Sequence, residues 1–243
     1  KDEADIAGFS IADACRWSDK VIVIDNGSND GTWELVCNMA DTNSKIVPFM
    51  RHDGPFHIGL RSKAFRAFRH EMHYGDWWCV RLDADEFYPG DVRNFLQQIP
   101  WYRRTVKKMS TDYIITYEDL DEGLICGDFG SDRAHIRYCL PDKRAERRFM
   151  RHSPFLVWLS RWRYPHPWGT VARQRIAVDH YQYRSKEQMQ RRYTNRQKAK
   201  ADGCGSFSHE VGSGWQSYLR HRNECIVIGN SLSHNHLYTD KEI

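Results

Sequence analysis

Residues 77–88 read Trp-Trp-Cys-Val-Arg-Leu-Asp-Ala-Asp-Glu-Phe-Tyr, an apolar run that ends in two aspartates separated by one residue. The run over 77–82 predicts a buried strand that brings acids to the carboxyl edge of a sheet, where open α/β folds bind ligands. Asp83 and Asp85 project to the same side if the strand continues, because side chains alternate along it. Two carboxylates this close repel each other unless a cation or a proton lies between them, and a hard divalent cation that also binds a diphosphate is the simplest prediction. An acidic turn after the strand is the alternative interpretation.

A second apolar run with an acidic end lies at 20–32, Lys-Val-Ile-Val-Ile-Asp-Asn-Gly-Ser-Asn-Asp-Gly-Thr. Strand and helix patterns alternate from there through the first half of the chain, which predicts a doubly wound α/β fold. The predicted helices are 3–17, 31–40, 61–73, 91–98 and 185–201, and the predicted strands are 21–24, 45–49, 77–82, 104–117 and 173–180. Residues 118–146 have weak periodicity and predict a long loop or lid.

Together these segments resemble the glycosyltransferase family 2 group, which has the GT-A fold. The matching residues are Asp-Glu-Ala-Asp-Ile at 2–6, Asp-Asn-Gly-Ser-Asn-Asp-Gly-Thr at 25–32, Asp-Ala-Asp at 83–85 and His-Tyr-x-Tyr-Arg-Ser-x-Glu-Gln at 180–188. The resemblance covers roughly residues 1–200, and the combination is more specific than any one piece. It implies an α/β fold with a mostly parallel sheet flanked by helices and a smaller acceptor-side region. It also implies transfer of a sugar from a UDP- or GDP-linked donor to an acceptor hydroxyl.

The resemblance implies a metal centre made by Asp83, Asp85 and His180. The second acid would bind the cation directly, and Asp83 would reach the ribose or a metal-bound water. Mn²⁺ or Mg²⁺ is expected because the donors are hard oxygens. His180 follows a predicted strand, and a structural histidine is the alternative there.

Further residues are implied to bind the nucleotide. Asp25 would accept a hydrogen bond from the base, although it could instead cap the turn through Asn26–Ser28. Glu3 lies in the matching N-terminal segment. Arg61 and Lys63 open a predicted helix whose N-terminus favours anions, and a solvated basic face is equally consistent with them.

An inverting transferase needs a carboxylate that deprotonates the acceptor hydroxyl. The candidates are Glu146, in Arg-Ala-Glu-Arg-Arg-Phe, and the neighbouring pair Glu118 and Asp119. Glu146 lies nearer to the family's spacing, whereas the dipeptide matches its acidic pair. An inverting outcome is expected from the resemblance, and a retaining mechanism stays open.

Composition sets the remaining bounds. At 243 residues with 40% hydrophobic residues, the chain suits one large α/β domain, or a domain plus a small subdomain. Residues 1–100 are expected to bind the nucleotide sugar and residues 101–243 the acceptor. The first strand of the fold is expected to be missing. A net charge of +4 is too mild to predict nucleic-acid binding. Seven cysteines without a Cys-x-x-Cys pair, and no visible signal peptide or membrane span, predict a reducing cytoplasm.

The segment 184–200 carries seven basic residues against one acidic residue, Glu187. It could contact anionic lipid at the inner membrane face or a lipid-linked acceptor, and a solvated helix face is the alternative. The resemblance places the chain in surface polysaccharide or lipopolysaccharide synthesis. Two rival functions are a nucleotidyltransferase acting on sugar phosphates and a non-catalytic sugar- or lipid-binding module.

Overall fold

The computed structural model describes residues 1–142, 145–201 and 214–228. The helices are α1 Ala4–Trp17, α2 Thr32–Thr42, α3 Gly59–Phe68, α4 Val92–Gln98, α5 Tyr117–Asp121, α6 Phe129–Asp132 and α7 Lys186–Ala201. The strands are β1 Val21–Asp25, β2 Ile46–Arg51, β3 Trp77–Cys79, β4 Glu86–Phe87, β5 Arg103–Ile114, β6 Tyr138–Asp142, β7 Arg147–Arg151, β8 Thr170–Tyr183 and β9 Ile226–Val227. The predicted α/β class is confirmed.

The chain forms two compact units. Unit one comprises Lys1–Met109 and Lys143–Val178, and unit two comprises Ser110–Asp142 and Asp179–Ile243. The expected functions of 1–100 and 101–243 stay predictions. The Gly- and Ser-rich segment 203–214 lies, apart from Gly214, outside the described residues.

Unit one begins with a parallel strand pair. β1 and β2 run side by side, with Val21 opposite Ile46 and Asp25 opposite Arg51. A parallel pair needs a crossover, and α2 provides it. Ile11 of α1 and Val36 of α2 pack with Ile46 in one buried cluster. The carboxyl ends of both strands therefore present polar side chains at the same edge.

The β3–β7 and β5–β7 pairs of unit one run antiparallel and belong to a second sheet, separate from the β1–β2 pair. Trp77 of β3 lies opposite Arg151 of β7, and Thr105 of β5 lies opposite Met150. The expected parallel arrangement thus holds for β1 and β2, whereas these later pairs run antiparallel. A buried cluster that includes side chains of β5 and β7 comprises Tyr88, Val92, Leu96, Ile99, Val106, Phe149, Ala172, Ile176 and Val178.

Unit two contains more regular structure than predicted. The segment predicted as a loop over 118–146 contains most of α5 and all of α6 and β6. β6 pairs antiparallel with β5, where Ile114 lies opposite Tyr138, and with β9. The loop prediction is wrong because these helices are only one or two turns long, too short for a visible 3.6-residue period. Short side-chain caps such as Asp128, which accepts from the Ser131 N–H, start them instead.

Candidate active site

The strand that leads to Asp83 and Asp85 is shorter than predicted. β3 ends at Cys79, and the two aspartates lie in a turn before β4. The turn is closed by two hydrogen bonds: the Glu86 N–H donates to the Asp83 carbonyl at 3.1 Å, and the Asp83 N–H donates to the Glu86 carboxylate at 3.1 Å. The prediction of a strand over 77–82 is therefore wrong at its end, because these local bonds take the place of a strand ladder.

Asp83 is held by arginine. Arg81 Nε donates to Asp83 Oδ2 at 2.8 Å, and Arg81 Nη2 contacts the same oxygen. Arg61 Nη2 lies 3.7 Å from Oδ1. Burial and the Asp85 charge raise the pKa of Asp83, but the charges of the two arginines and the hydrogen bonds from Arg81 outweigh them. Its pKa therefore lies well below the ordinary range, and Asp83 is a carboxylate at any working pH.

Asp85 is more deeply placed than Asp83. It is 5% exposed, whereas the Asp83 side chain is 30% exposed. The Asp85 charge is the smallest of the effects named above on the pKa of Asp83. The structure thus brings together the paired acids that the sequence singled out.

Glu86 anchors this turn to the interior of unit one. It is 1% exposed, and its Oε1 accepts from Arg148 Nη2 and from Lys108 Nζ, the latter at 3.3 Å. Its carbonyl accepts from Ser10 Oγ of α1 at 3.2 Å. A buried carboxylate needs such compensation. Glu86 therefore fixes the turn against β5, β7 and α1.

Glu146 belongs to the same charged cluster. Its Oε1 accepts from Arg163 Nη2 at 2.5 Å, and its Oε2 accepts from Arg81 Nη1 at 3.2 Å. Its carbonyl accepts the Lys108 N–H at 2.8 Å, which fixes its backbone beside β5. Burial raises the pKa of Glu146, but the surrounding positive charges, that of Arg81 first, lower it below the ordinary value. The structure therefore links Glu146 to Asp83 through one guanidinium.

Asp25 lies at the end of β1, where it caps the turn that follows. It is 4% exposed, and its carboxylate accepts from the Ser28 N–H at 2.9 Å and from Ser28 Oγ at 2.5 Å. Arg51, opposite it on β2, lies 3.8 Å away and donates to the Ser28 carbonyl at 2.7 Å. The turn-capping interpretation of Asp25 is thus observed, and its contact with a nucleotide stays a prediction.

The other predicted nucleotide residues occupy different settings. Arg61 lies in the first turn of α3, with its guanidinium over the Phe56 ring at 5.4 Å as well as near Asp83. Lys63 is exposed to solvent. Glu3 is the N-cap residue of α1, and its N–H donates to Thr32 Oγ1 at 3.0 Å. Of these three, Arg61 is the one that joins the acid cluster.

Three predicted site residues belong to unit two and have partners there. Asp119 is 1% exposed, forms a capping box with Thr116 and pairs with Arg222 at 2.8 Å. Glu118 accepts from the Arg222 N–H at 3.2 Å. His180 Nδ1 lies 2.9 Å from Asp112 Oδ1. These contacts give Asp119 a structural task, and the metal role of His180 stays a prediction.

The basic segment at 184–200 is not a uniformly solvated face. Arg184, just before α7, is 1% exposed. Arg192 lies over the Tyr183 ring at 5.5 Å and Arg196 over the Tyr218 ring at 6.0 Å. Burial is the first cause that lowers the pKa of Arg196 to about 10. Contact of this segment with lipid stays a prediction.

Four basic residues of the site were not predicted. Arg81, Lys108 and Arg148 surround the acids, and Arg51 lies opposite Asp25. Arg51 could have been predicted from its position, because it ends β2 at the same sheet edge as Asp25. Arg148 is 0% exposed within a short strand flanked by arginines, where composition suggests a surface.

No group of three His, Cys, Asp or Glu side chains that could hold a metal ion occurs within residues 1–142, 145–201 and 214–228. Nor does this part of the chain contain a helix long and apolar enough to cross a membrane. The family model described as "Glycosyl transferase family 2" matches residues 2–124, just over half of the chain. No curated protein matches the chain.

Proposed function

The chain belongs to glycosyl transferase family 2, with an α/β architecture of the GT-A type, and we propose that it moves a sugar from a nucleoside-diphosphate donor to an acceptor hydroxyl. Membership of the family implies a nucleotide-sugar donor and an acceptor. The observation that carries the finer proposal is the cluster of paired acids and arginines in unit one. It offers carboxylates for a cation and guanidinium groups for a diphosphate.

Asp83 and Asp85 would hold the divalent cation, Mn²⁺ or Mg²⁺. The donor set fits such an ion, because Asp83 and Asp85 offer carboxylate oxygens from one turn and Arg61 and Arg81 beside Asp83 favour its ionised form. Mg²⁺ is commonly held by only one or two carboxylates together with substrate phosphates, so a cluster of three protein ligands is not required. When bound, the cation would stabilise the negative charge that builds up on the departing nucleotide.

The arginines near Asp83 would serve the diphosphate. Arg61 and Arg81 both reach the Asp83 carboxylate, and guanidinium groups bind phosphate oxygens bidentately. Asp25 would orient the base, with Arg51 holding the turn beside it. Donor binding would thus draw on side chains at the ends of β1 and β2 and on the turn after β3.

Glu146 is the best candidate for the general base of an inverting transfer. It is ionised at neutral pH, fixed through its carbonyl, and connected to Asp83 by Arg81. Its carboxylate would accept the proton of the acceptor hydroxyl as the hydroxyl oxygen attacks the anomeric carbon. Asp119 and Glu118 are weaker candidates, because Asp119 is 1% exposed within a capping box and neither residue belongs to the acid cluster of unit one.

The acceptor is proposed to be a glycan or lipid-linked sugar in surface polysaccharide or lipopolysaccharide synthesis. The basic segment around α7 supports an anionic or membrane-bound partner by its charge. This part of the proposal rests on charge and on the resemblance.

Calorimetry with UDP, GDP and CDP, each with and without Mn²⁺, tests the proposal. We expect one nucleotide to bind in a Mn²⁺-dependent manner, and Asp85→Asn to weaken that binding at least ten-fold, since the variant removes a charged ligand. Asp41→Asn, at the exposed end of α2, is the matched control. Sugar-phosphate and nucleoside-triphosphate binding in place of diphosphate binding would indicate a nucleotidyltransferase. Absence of any nucleotide binding would leave a non-catalytic module.

A further inference from the structure

One guanidinium joins two carboxylates that have different tasks in the proposed function. Arg81 makes two contacts to Asp83 Oδ2, through Nε and Nη2, and donates to Glu146 Oε2 through Nη1 at 3.2 Å. Its side chain is only 30% exposed. Arg81 therefore directs all three of its guanidinium nitrogens at the carboxylate expected to hold the cation and at the carboxylate expected to act as base.

This pairing opposes the binding of a cation by itself. A guanidinium keeps its charge at all working pH values, so it competes with any metal ion for the same oxygen. Arg61 adds a second positive charge 3.7 Å from Asp83. A divalent cation that arrives alone must either displace Arg81 or approach two positive charges. Both routes cost free energy in a partly buried site.

A diphosphate changes this balance. Its oxygens offer Arg81 a bidentate partner of higher negative charge than one carboxylate. Resting on the proposed function, we propose that Arg81 exchanges partners: it pairs with Asp83 and Glu146 before the donor binds, and it turns to the diphosphate when donor and cation bind together. Asp83 Oδ2 is then available to the cation, and Glu146 Oε2 no longer accepts a hydrogen bond from Arg81.

Such an exchange makes metal and nucleotide bind cooperatively. Each ligand removes an obstacle to the other, and the coupling is reciprocal by thermodynamic linkage. The nucleotide must therefore raise the affinity for Mn²⁺ by the same factor as Mn²⁺ raises the affinity for the nucleotide. Coupling between two sites typically amounts to about 5- to 150-fold.

The test measures four affinities by calorimetry: Mn²⁺ alone, nucleotide alone, and each in the presence of the other. UDP, GDP and CDP are the nucleotide probes. We expect Arg81→Gln to bind Mn²⁺ alone at least about five-fold more tightly than the wild type does. We expect the nucleotide to bind more weakly and the coupling factor to fall below its wild-type value, because only the direct contact of the cation with the phosphates still couples the two ligands. Arg93→Gln, which removes an exposed arginine paired with Asp19, should leave all four affinities unchanged.

Tighter binding of Mn²⁺ together with weaker binding of the nucleotide in Arg81→Gln distinguishes partner exchange from a purely structural role of Arg81. If Arg81 only maintained the fold, Arg81→Gln would weaken metal and nucleotide alike, and that result would overturn the inference. Arg81→Lys keeps the charge without the fork and should give intermediate values. It serves as the test variant if circular dichroism shows that Arg81→Gln is not folded. A wild-type chain that binds no nucleoside diphosphate would refute the proposed function and the inference with it, whereas a coupling factor in Arg81→Gln equal to the wild-type value refutes the inference alone.

Discussion

At the scale of single residues, the charge around Glu146 decides how it can act. A carboxylate surrounded by guanidinium groups is stabilised in its ionised form, so its pKa lies below the ordinary value. A base with a low pKa is available over a wide pH range but accepts a proton less readily. Transfer of Arg81 to the donor diphosphate would remove one of these positive charges and make Glu146 more basic when the acceptor is bound.

The pH dependence of the reaction should reflect this environment. In the wild type, we expect the acid limb of kcat/KM to lie below the usual range of a glutamate, because the pKa of Glu146 is lowered. Arg163 Nη2 lies 2.5 Å from Glu146 Oε1. Arg163→Gln removes this positive charge, so the acid limb of kcat/KM should move to higher pH. The measurement is nucleotide release from the nucleotide sugar whose diphosphate binds in calorimetry, followed from pH 3 to pH 8.

Glu146→Gln tests directly whether Glu146 is the general base. It should lower kcat by roughly 10²- to 10⁴-fold and remove the acid limb, as expected for loss of a general base. Arg93→Gln again serves as the control. An unchanged kcat in Glu146→Gln would exclude this residue as the base and direct attention to Glu118 and Asp119.

The candidate site contains residues that the sequence predicted and residues that it did not. The pattern of an apolar run followed by Asp-x-Asp identified Asp83 and Asp85, and a family spacing favoured Glu146. The structure then brought Arg81 between Asp83 and Glu146. The role of Arg81 was not predicted because a single arginine inside an apolar run produces no periodic pattern. Its partner Glu146 also lies 65 residues away in the sequence.

At the scale of elements, close backbone contact positions α3 and thereby Arg61. A Cβ atom at Gly59 would come within 2.9 Å of the Ser160 carbonyl oxygen, closer than real Cβ contacts. Only glycine allows α3 to begin there at this distance. Such a tertiary contact cannot be read from propensity, which is why the sequence predicted the helix from residue 61 and the structure begins it at Gly59.

Gly59→Ala tests this contact. We expect it to destabilise the fold by about 1–3 kcal/mol, since the helix or the 160 segment must shift. Because Arg61 follows two residues later, nucleotide affinity should fall as well. Gly90→Ala is the matched control, because a Cβ there meets no atom within 4 Å. Urea unfolding measures the stability of both variants, and equal stabilities would show that the 160 segment yields without cost.

Elements with clear signals were predicted well, and those formed by local capping were not. The amphipathic pattern of α1 and the apolar run of β1 gave bounds within one residue of those observed. The strand after Trp77 was predicted too long because Glu86, rather than the apolar pattern, determines where the turn begins. Hydrophobic pattern defines long elements, whereas side-chain hydrogen bonds define their ends.

At the scale of the whole molecule, the excess of positive charge and the partly buried acids Asp83 and Glu146 together determine how stability depends on pH. The chain has 36 Lys and Arg against 32 Asp and Glu, so any protonation of carboxylates increases an existing net positive charge. In unit one, Asp83 and Glu146 neutralise several arginines that remain charged at every pH. The stability of the fold should therefore depend on these acids staying ionised.

Acid should destabilise the protein through Asp83 and Glu146. Both have folded-state pKa values below their unfolded values, so the folded state binds fewer protons and stability rises with pH. Their contribution is complete above the ordinary carboxyl pKa of about 4 and is lost as the pH falls through the folded-state values. Urea midpoints measured from pH 7 to pH 3 should fall most steeply below about pH 5. The Asp83→Asn variant should start from a lower midpoint at pH 7 and lose less of it on acidification, because its side chain does not titrate. Parallel curves for the variant and the wild type would show that other carboxylates govern acid unfolding and that the cluster around Arg81 contributes little to stability.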